Sequence, residues 1–294
     1  MKKNYLKFII SVGIVAVMIL SSLPTLTANT DVSFDEIKVY TGPKEVYKIP
    51  KGKPSSPPGQ NKPPKEPEPD PEPTVNKWAV IIGISDYKGV GNDLQYCDDD
   101  AQDMYNYLIT IGYPEENIKL LKDGRARAKS ILSAIDWLGS REDADSEVVF
   151  FFSGHGSTYE GYDDGDPEVI DEGIVSADLW LILDGQLRDK FSTFESQKIS
   201  FTFDTCFSGG MDDLAGSGRV VVAACGETEY SWDGDSTQQN GVFTYYYMQG
   251  LDTYNTVEGS FSYAAPLAQD FVSDNYGYDM NPQMNDQYGG SWSF

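Results

Sequence analysis

Glu147-Val-Val-Phe-Phe-Phe-Ser-Gly-His-Gly156 is the stretch on which the fold turns. Glu147 to Phe152 is a short, almost wholly apolar run of β-branched and aromatic residues. Such a run bounded by turn residues reads as a strand buried on both faces. Ser153 and Gly154 end it, and His155 follows at once. A second stretch repeats the arrangement. Ile199 to Phe203 reads as a strand and leads directly into Asp204-Thr205-Cys206.

Outward from these two, the same grammar continues. Trp78 to Ile84 is a continuous apolar run ending near Gly83, and Asn117 to Lys122 and Val220 to Cys225 read as further strands. Helical spacing places Ala101, Met104, Leu108 and Ile111 on one face of Asp100 to Ile111. It does the same for Ile131, Leu132, Ile135 and Leu138 within Arg127 to Leu138. Leu183 to Phe191, Val242 to Leu251 and Tyr263 to Val272 also read as helices. The Gly, Asp and Tyr-rich stretch from Tyr159 to Gly173 reads as a surface loop. Buried strands alternating with helices predict an α/β domain, a mainly parallel sheet with helices on both faces. Ligands of such sheets sit beyond the carboxyl ends of the strands, where His155 and Cys206 both fall.

The domain is preceded by other material. Lys2, Lys3 and Lys7 followed by the apolar run Phe8 to Leu20, then small and turn-forming residues, read as an export signal over residues 1–28. Residues 29–49 read as an N-terminal arm or pro-segment with some strand character. From Pro50 to Pro73 ten of 24 residues are proline, so 50–76 reads as a stiff linker that cannot close a core. The expected domain is 77–294. The expected location is outside the cytoplasm, free or, without cleavage, tethered to a membrane by the N-terminal segment.

With 22 basic and 46 acidic residues, the net charge of −24 argues against a nucleic-acid partner, which needs a basic footprint. It suits basic peptides and divalent cations, or serves solubility. Three cysteines, Cys97, Cys206 and Cys225, do not make a disulfide scaffold. One histidine and no clustered cysteines cannot build a usual zinc site. His155 is the only histidine, so a cysteine nucleophile that uses an imidazole has a single choice. It lies 51 residues before Cys206. Cys225, at the end of an apolar run, reads as a core thiol.

These paired stretches, Phe150 to Gly156 and Phe201 to Gly210, resemble the caspase and metacaspase superfamily of cysteine peptidases. Trp78 to Ser85 and Asn281-Pro-Gln283 resemble it too, so the likeness runs from about Lys77 onward. The resemblance implies the three-layer caspase-like fold and an endopeptidase in which Cys206 attacks and His155 is general acid/base. The amides of Gly156 and Cys206 would hold the oxyanion, and the chemistry would need no cofactor. Caspases carry Gln two residues before the nucleophile; Asp204 stands there, as in metacaspases, which cut after Arg or Lys. Cys97, Asp100 and Ser153 match the other pocket positions of metacaspases. The implied partners are therefore peptides or proteins with Arg or Lys before the scissile bond, and the sequence leaves the oligomeric state open. Many metacaspases are calcium-activated. The matching acids are Asp171, Asp184 and Asp213, although Gly185 stands where a second adjacent Asp is usual. Two other readings are a catalytically inactive caspase-like binding module and a clostripain- or gingipain-type endopeptidase.

Overall fold

The apolar runs become the interior strands of one sheet in a computed structural model, which describes residues 37–42, 76–89, 91–161 and 169–294. In chain order these residues form β1 (Lys38–Val39), β2 (Lys77–Gly83), α1 (Cys97–Thr110), β3 (Ile118–Lys122), α2 (Ala128–Gly139), β4 (Glu147–Ser153), β5 (Gly156–Glu160), β6 (Ile170–Val175), β7 (Trp180–Leu183), α3 (Asp184–Phe191), β8 (Ile199–Asp204), β9 (Arg219–Ala223), α4 (Val242–Tyr254), α5 (Val257–Tyr276) and β10 (Gln283–Asp286). The proposed export signal and the linker over 50–75 lie outside the described residues, as does all of the arm but 37–42.

The main sheet runs β10-β9-β8-β4-β2-β3. Five strands are parallel, and β10 closes one edge antiparallel to β9. Because side chains alternate along a strand, the Phe150-Phe151-Phe152 run has to feed two separate cores. Phe150 and Phe152 join Val80, Ile82, Phe201 and Phe203 against Ile131 and Ile135 of α2 and Leu187 and Phe191 of α3. Phe151 joins Ile81, Val149 and Val222 against Met104 of α1, Phe243 and Tyr247 of α4, and Ala268 of α5. Helices thus cover both faces, as the sequence predicts. Among the described residues no helix is long and apolar enough to cross a membrane.

A second sheet, β1-β7-β6-β5, corrects one expectation. The stretch 159–173 is not all loop, since both its ends are strand: β5 and β6 pair antiparallel from Gly156↔Ile174 to Glu160↔Ile170. Short strands carrying Gly, Thr and Glu have neither the length nor the apolar content of a buried run, which hid them. The arm does contribute a strand. Lys38 and Val39 pair parallel with Trp180 and Leu181 of β7.

Gly83 shows how tightly α1 is drawn onto the sheet. A Cβ there would stand 2.1 Å from the Cys97 carbonyl oxygen and 2.6 Å from the Ala101 Cβ. The glycine therefore lets the first turn of α1 rest on the end of β2. Gly83→Ala is expected to destabilise the fold by roughly 1–3 kcal/mol through overpacking, read as a lower urea midpoint with unchanged slope. An unaltered midpoint would show that α1 is not held there.

Candidate active site

Strand register places the two motifs side by side. In the β4–β8 pair Ser153 lies opposite Asp204, and the Gly154 N–H donates to the Asp204 carbonyl at 3.2 Å. His155 and Cys206 are each two residues farther on. Gly156 then packs against the Cys206 turn: a Cβ on it would lie 2.1 Å from the Cys206 carbonyl oxygen. The chain after Cys206 turns sharply at Phe207, a non-glycine residue at φ 61°. The left-handed conformation costs roughly 1–2 kcal/mol. A Phe207 N–H bond to the Glu229 carbonyl at 2.8 Å and edge packing on Tyr230 hold it. The Glu229 carboxylate in turn accepts the N–H of Gly226 and both the backbone and side-chain nitrogens of Asn281.

His155 is almost fully buried. Its ring packs on Tyr87, with centroids 4.6 Å apart, and its backbone N–H donates to the Tyr87 hydroxyl at 2.7 Å. Nε2 lies 2.8 Å from the Asn92 carbonyl oxygen. A carbonyl only accepts, so Nε2 carries the proton and Nδ1 holds the lone pair. Nδ1 is buried and has no hydrogen-bond partner among the described residues. Burial pushes the imidazole pKa down to about 4, with the Asn92 carbonyl and then Asp93 pulling the other way. The Cys206 sulfur is buried and reaches the Ser231 carbonyl at 3.8 Å. None of the three cysteines is in a disulfide. Cys225 is a core thiol, bonded to the Thr205 carbonyl at 3.3 Å, and burial pushes its pKa up to about 12.

Beside this pair stand the four residues expected to form a pocket, all buried. Ser153 Oγ donates to Asp100 Oδ2 at 2.6 Å, and the Gly241 N–H donates to Oδ1 at 3.0 Å. Asp204 accepts the Ser231 hydroxyl at 2.5 Å, and the Thr244 hydroxyl and N–H at 2.7 and 3.0 Å. A Cβ on Gly241 would stand 2.5 Å from Asp204 Oδ2 and 3.1 Å from Asp100 Oδ2. Both acids thus meet at that glycine. Burial raises the pKa of each, and the charge of Asp204 raises that of Asp100 further, against the hydroxyl and amide donors. Cys97 opens α1 next to them; its pKa is raised by burial and then by Asp233, Asp100 and Asp204.

The other expected set is carried by three elements. Asp171 is on β6, Asp184 begins α3, and Asp213 lies in the 3-10 turn Ser208–Leu214. Arg188 donates to Asp213, and the Gly185 N–H to Asp184. Among the described residues no three His, Cys, Asp or Glu side chains form a group that could hold a metal ion. No step is routed through a calcium ion.

Five site residues were not visible in the sequence: Tyr87, Asn92, Ser231, Gly241 and Thr244. Asn92 acts through its backbone, which leaves no residue signature. The others lie in irregular loops or at a helix start, where periodicity says nothing.

With fold and geometry in view, comparison with known proteins is consistent. Residues 76–286 match the family described as Caspase domain, and the chain belongs to that family. It is 31% identical over 153 residues to Metacaspase-1 of Candida glabrata, covering 48% of this chain and 39% of that protein. It is 30% identical over 159 residues to Metacaspase-3 of Arabidopsis thaliana, covering 50% and 44%. The chain thus spans less than half the length of the curated relatives it matches. Protein GSU0716 from Geobacter sulfurreducens shares the fold, with a TM-score of 0.54 at 15% identity over 73% of this chain and 94% of that one.

The buried imidazole makes a direct prediction. An unfolded histidine titrates near 6.5 and this one near 4. Between those values this group binds more protons in the unfolded chain, so its contribution to stability is complete above about pH 6.5 and falls as pH drops through that window. The loss is on the order of 3 kcal/mol. The single histidine resonance in NMR is expected to stay neutral down to about pH 5. A midpoint above 6 would contradict the burial argument.

Proposed function

We propose that this chain is a cysteine endopeptidase that cleaves peptide bonds after Arg or Lys, using Cys206 and His155. The observation that carries the reading is the matched emergence of both residues from adjacent strands, with two buried carboxylates alongside. Family membership supports it.

In this mechanism the thiol of Cys206 gives its proton to Nδ1 of His155, the nitrogen with the available lone pair, as sulfur attacks the carbonyl carbon. An imidazole of such low pKa does not hold a proton before substrate arrives. Proton transfer is therefore concerted with attack, and the Asn92 carbonyl steadies Nε2–H as positive charge develops on the ring. The amides of Gly156 and Cys206 face the oxyanion. His155 protonates the leaving amine, and a thioester remains on Cys206. Water, deprotonated by the same imidazole, then releases the acid. Asp100 and Asp204 receive the basic side chain. Each carboxylate oxygen has two lone pairs, so both acids can accept further N–H donors beside those they already hold. An acidic side chain would be repelled. The Gly241 segment covers both acids and has to give way for a side chain to reach them.

The basic start and apolar run of residues 1–28 direct export in this reading, so substrates are extracytoplasmic peptides or proteins. Mass spectrometry of the mature N-terminus tests that part. Calcium activation through Asp171, Asp184 and Asp213 is a separate proposal suggested by the family likeness; activity in a chelator equal to that in added calcium would remove it, and a tenfold rise with calcium would support it.

Cys206→Ala is expected to lose at least about a thousandfold of kcat/KM on peptides ending in Arg, and to lose labelling by a thiol-directed probe. Probe labelling of wild type that Cys206→Ala does not abolish would favour the inactive-module reading. Asp204→Asn keeps the shape and one acceptor. It is expected to lower Arg and Lys cleavage at least about a hundredfold, consistent with about 3 kcal/mol for an unpaired charge, at a melting temperature close to wild type. Unchanged Arg cleavage would remove Asp204 from the pocket.

A further inference from the structure

The segment that covers the two pocket acids is itself a small hairpin. Asp233 and Gly241 form an antiparallel bridge, flanked by Gly234 N–H to the Asn240 carbonyl at 2.9 Å and Val242 N–H to the Trp232 carbonyl at 2.8 Å. Residues directly opposite one another in an antiparallel pair send their side chains to the same face, with Cβ atoms about 5 Å apart. The Cβ direction of Gly241 points at Asp204 Oδ2 and Asp100 Oδ2. The side chain of Asp233 therefore leaves the hairpin toward the same space. Its contacts agree: Oδ1 lies 4.0 Å from the sulfur of Cys97, and Oδ2 accepts the Gln95 N–H at 3.1 Å. Asp233 is buried.

We infer that Asp233 is a third acid of the basic-residue pocket and the one that distinguishes arginine from lysine. The inference rests on the proposed peptidase reading. Asp233 is anchored to the segment that holds the histidine ring: its Oδ2 accepts the Gln95 N–H, three residues after Asn92, whose carbonyl lies 2.8 Å from Nε2 of His155.

The chemistry follows from the shapes of the two cations. A lysine side chain presents all three donors at its tip, where Asp100 and Asp204 meet. A guanidinium presents five donors in a planar fork, one of them, Nε–H, set back along the chain. A carboxylate on the reacting-centre side of the tip can take that inner donor while the other two acids take the outer ones. Three acids then serve one arginine, and only two serve a lysine.

Among the groups that face Asp233 are Cys97, the first residue of α1, Gln95 two residues before it, Tyr276 from α5 through the Asp233 carbonyl, and Gly241 across the hairpin. Asp233→Asn keeps the size and an acceptor for the Gln95 N–H, so the hairpin retains its anchor.

Three fluorogenic peptides differing only in Arg, Lys or citrulline before the scissile bond, assayed on wild type, Asp233→Asn and Asp204→Asn, separate the outcomes. Asp233→Asn is expected to raise KM for the Arg peptide about tenfold or more, to leave kcat and the Lys peptide within about twofold, and so to erase most of the Arg-over-Lys preference. Competitive inhibition by agmatine should weaken by a similar factor in this variant, and inhibition by cadaverine should not. Equal losses on Arg and Lys, or a loss confined to kcat with a lowered melting temperature, would make Asp233 a structural residue and overturn the inference. No effect at all would do the same. A wild type that cleaves neither Arg nor Lys peptides would instead overturn the peptidase reading beneath it.

Discussion

The register of β4 against β8 is the constraint on which the site depends. Phe150 lies opposite Phe201, Phe152 opposite Phe203, and Ser153 opposite Asp204. The aromatic rings behind that register pack on one another, Phe150 to Phe203 at 5.8 Å between centroids and Phe150 to Phe201 at 6.3 Å. A slip of one residue would send each ring to the opposite helical layer. The phenylalanines therefore do more than fill two cores. They fix the height at which each chain leaves the sheet, and that height brings an imidazole-bearing turn and a sulfur-bearing turn together.

Burial then sets the electrostatics. A site sealed from water holds its imidazole neutral and lifts its carboxyls, because each charged form has lost its hydration. On the proposed reading, a bound basic peptide would relieve both conditions. Its cation would offer the acids a partner, and its carbonyl would accept the attack that lets the imidazole take a proton. The site in its resting form is thus held in uncharged or hydrogen-bonded states, with the hydroxyls of Ser153, Ser231 and Thr244 standing in for the donors of a ligand.

Much of this was legible in the residues. Continuous apolar runs gave the interior strands of the main sheet and 3.6-residue spacing gave the helices, because burial on two faces or one stripe writes itself into composition. The turn residues after Phe152 and Phe203 located the sites of His155 and Cys206. The edges were harder. β10 is Gln-Met-Asn-Asp, a polar edge strand with no alternation to read, and β5 and β6 carry glycine and acids in a region that reads as loop. The pocket acids Asp100 and Asp204 were visible, whereas the Asn92 carbonyl was not, since every residue has one. Asp233 is one acid among many in this chain until the hairpin register shows which way it points.

One connection extends the working unit beyond these motifs. Asn281, just before β10, donates twice to Glu229, whose own carbonyl holds the strained turn at Phe207. The last strand is therefore a strut under the sulfur. A fragment that stopped after α5 would retain His155, Cys206, Asp100, Asp204 and Asp233, yet leave the turn that follows Cys206 without its far support. In this architecture the tail of the domain bears on the Cys206 turn mechanically, from seventy-five residues away in the chain.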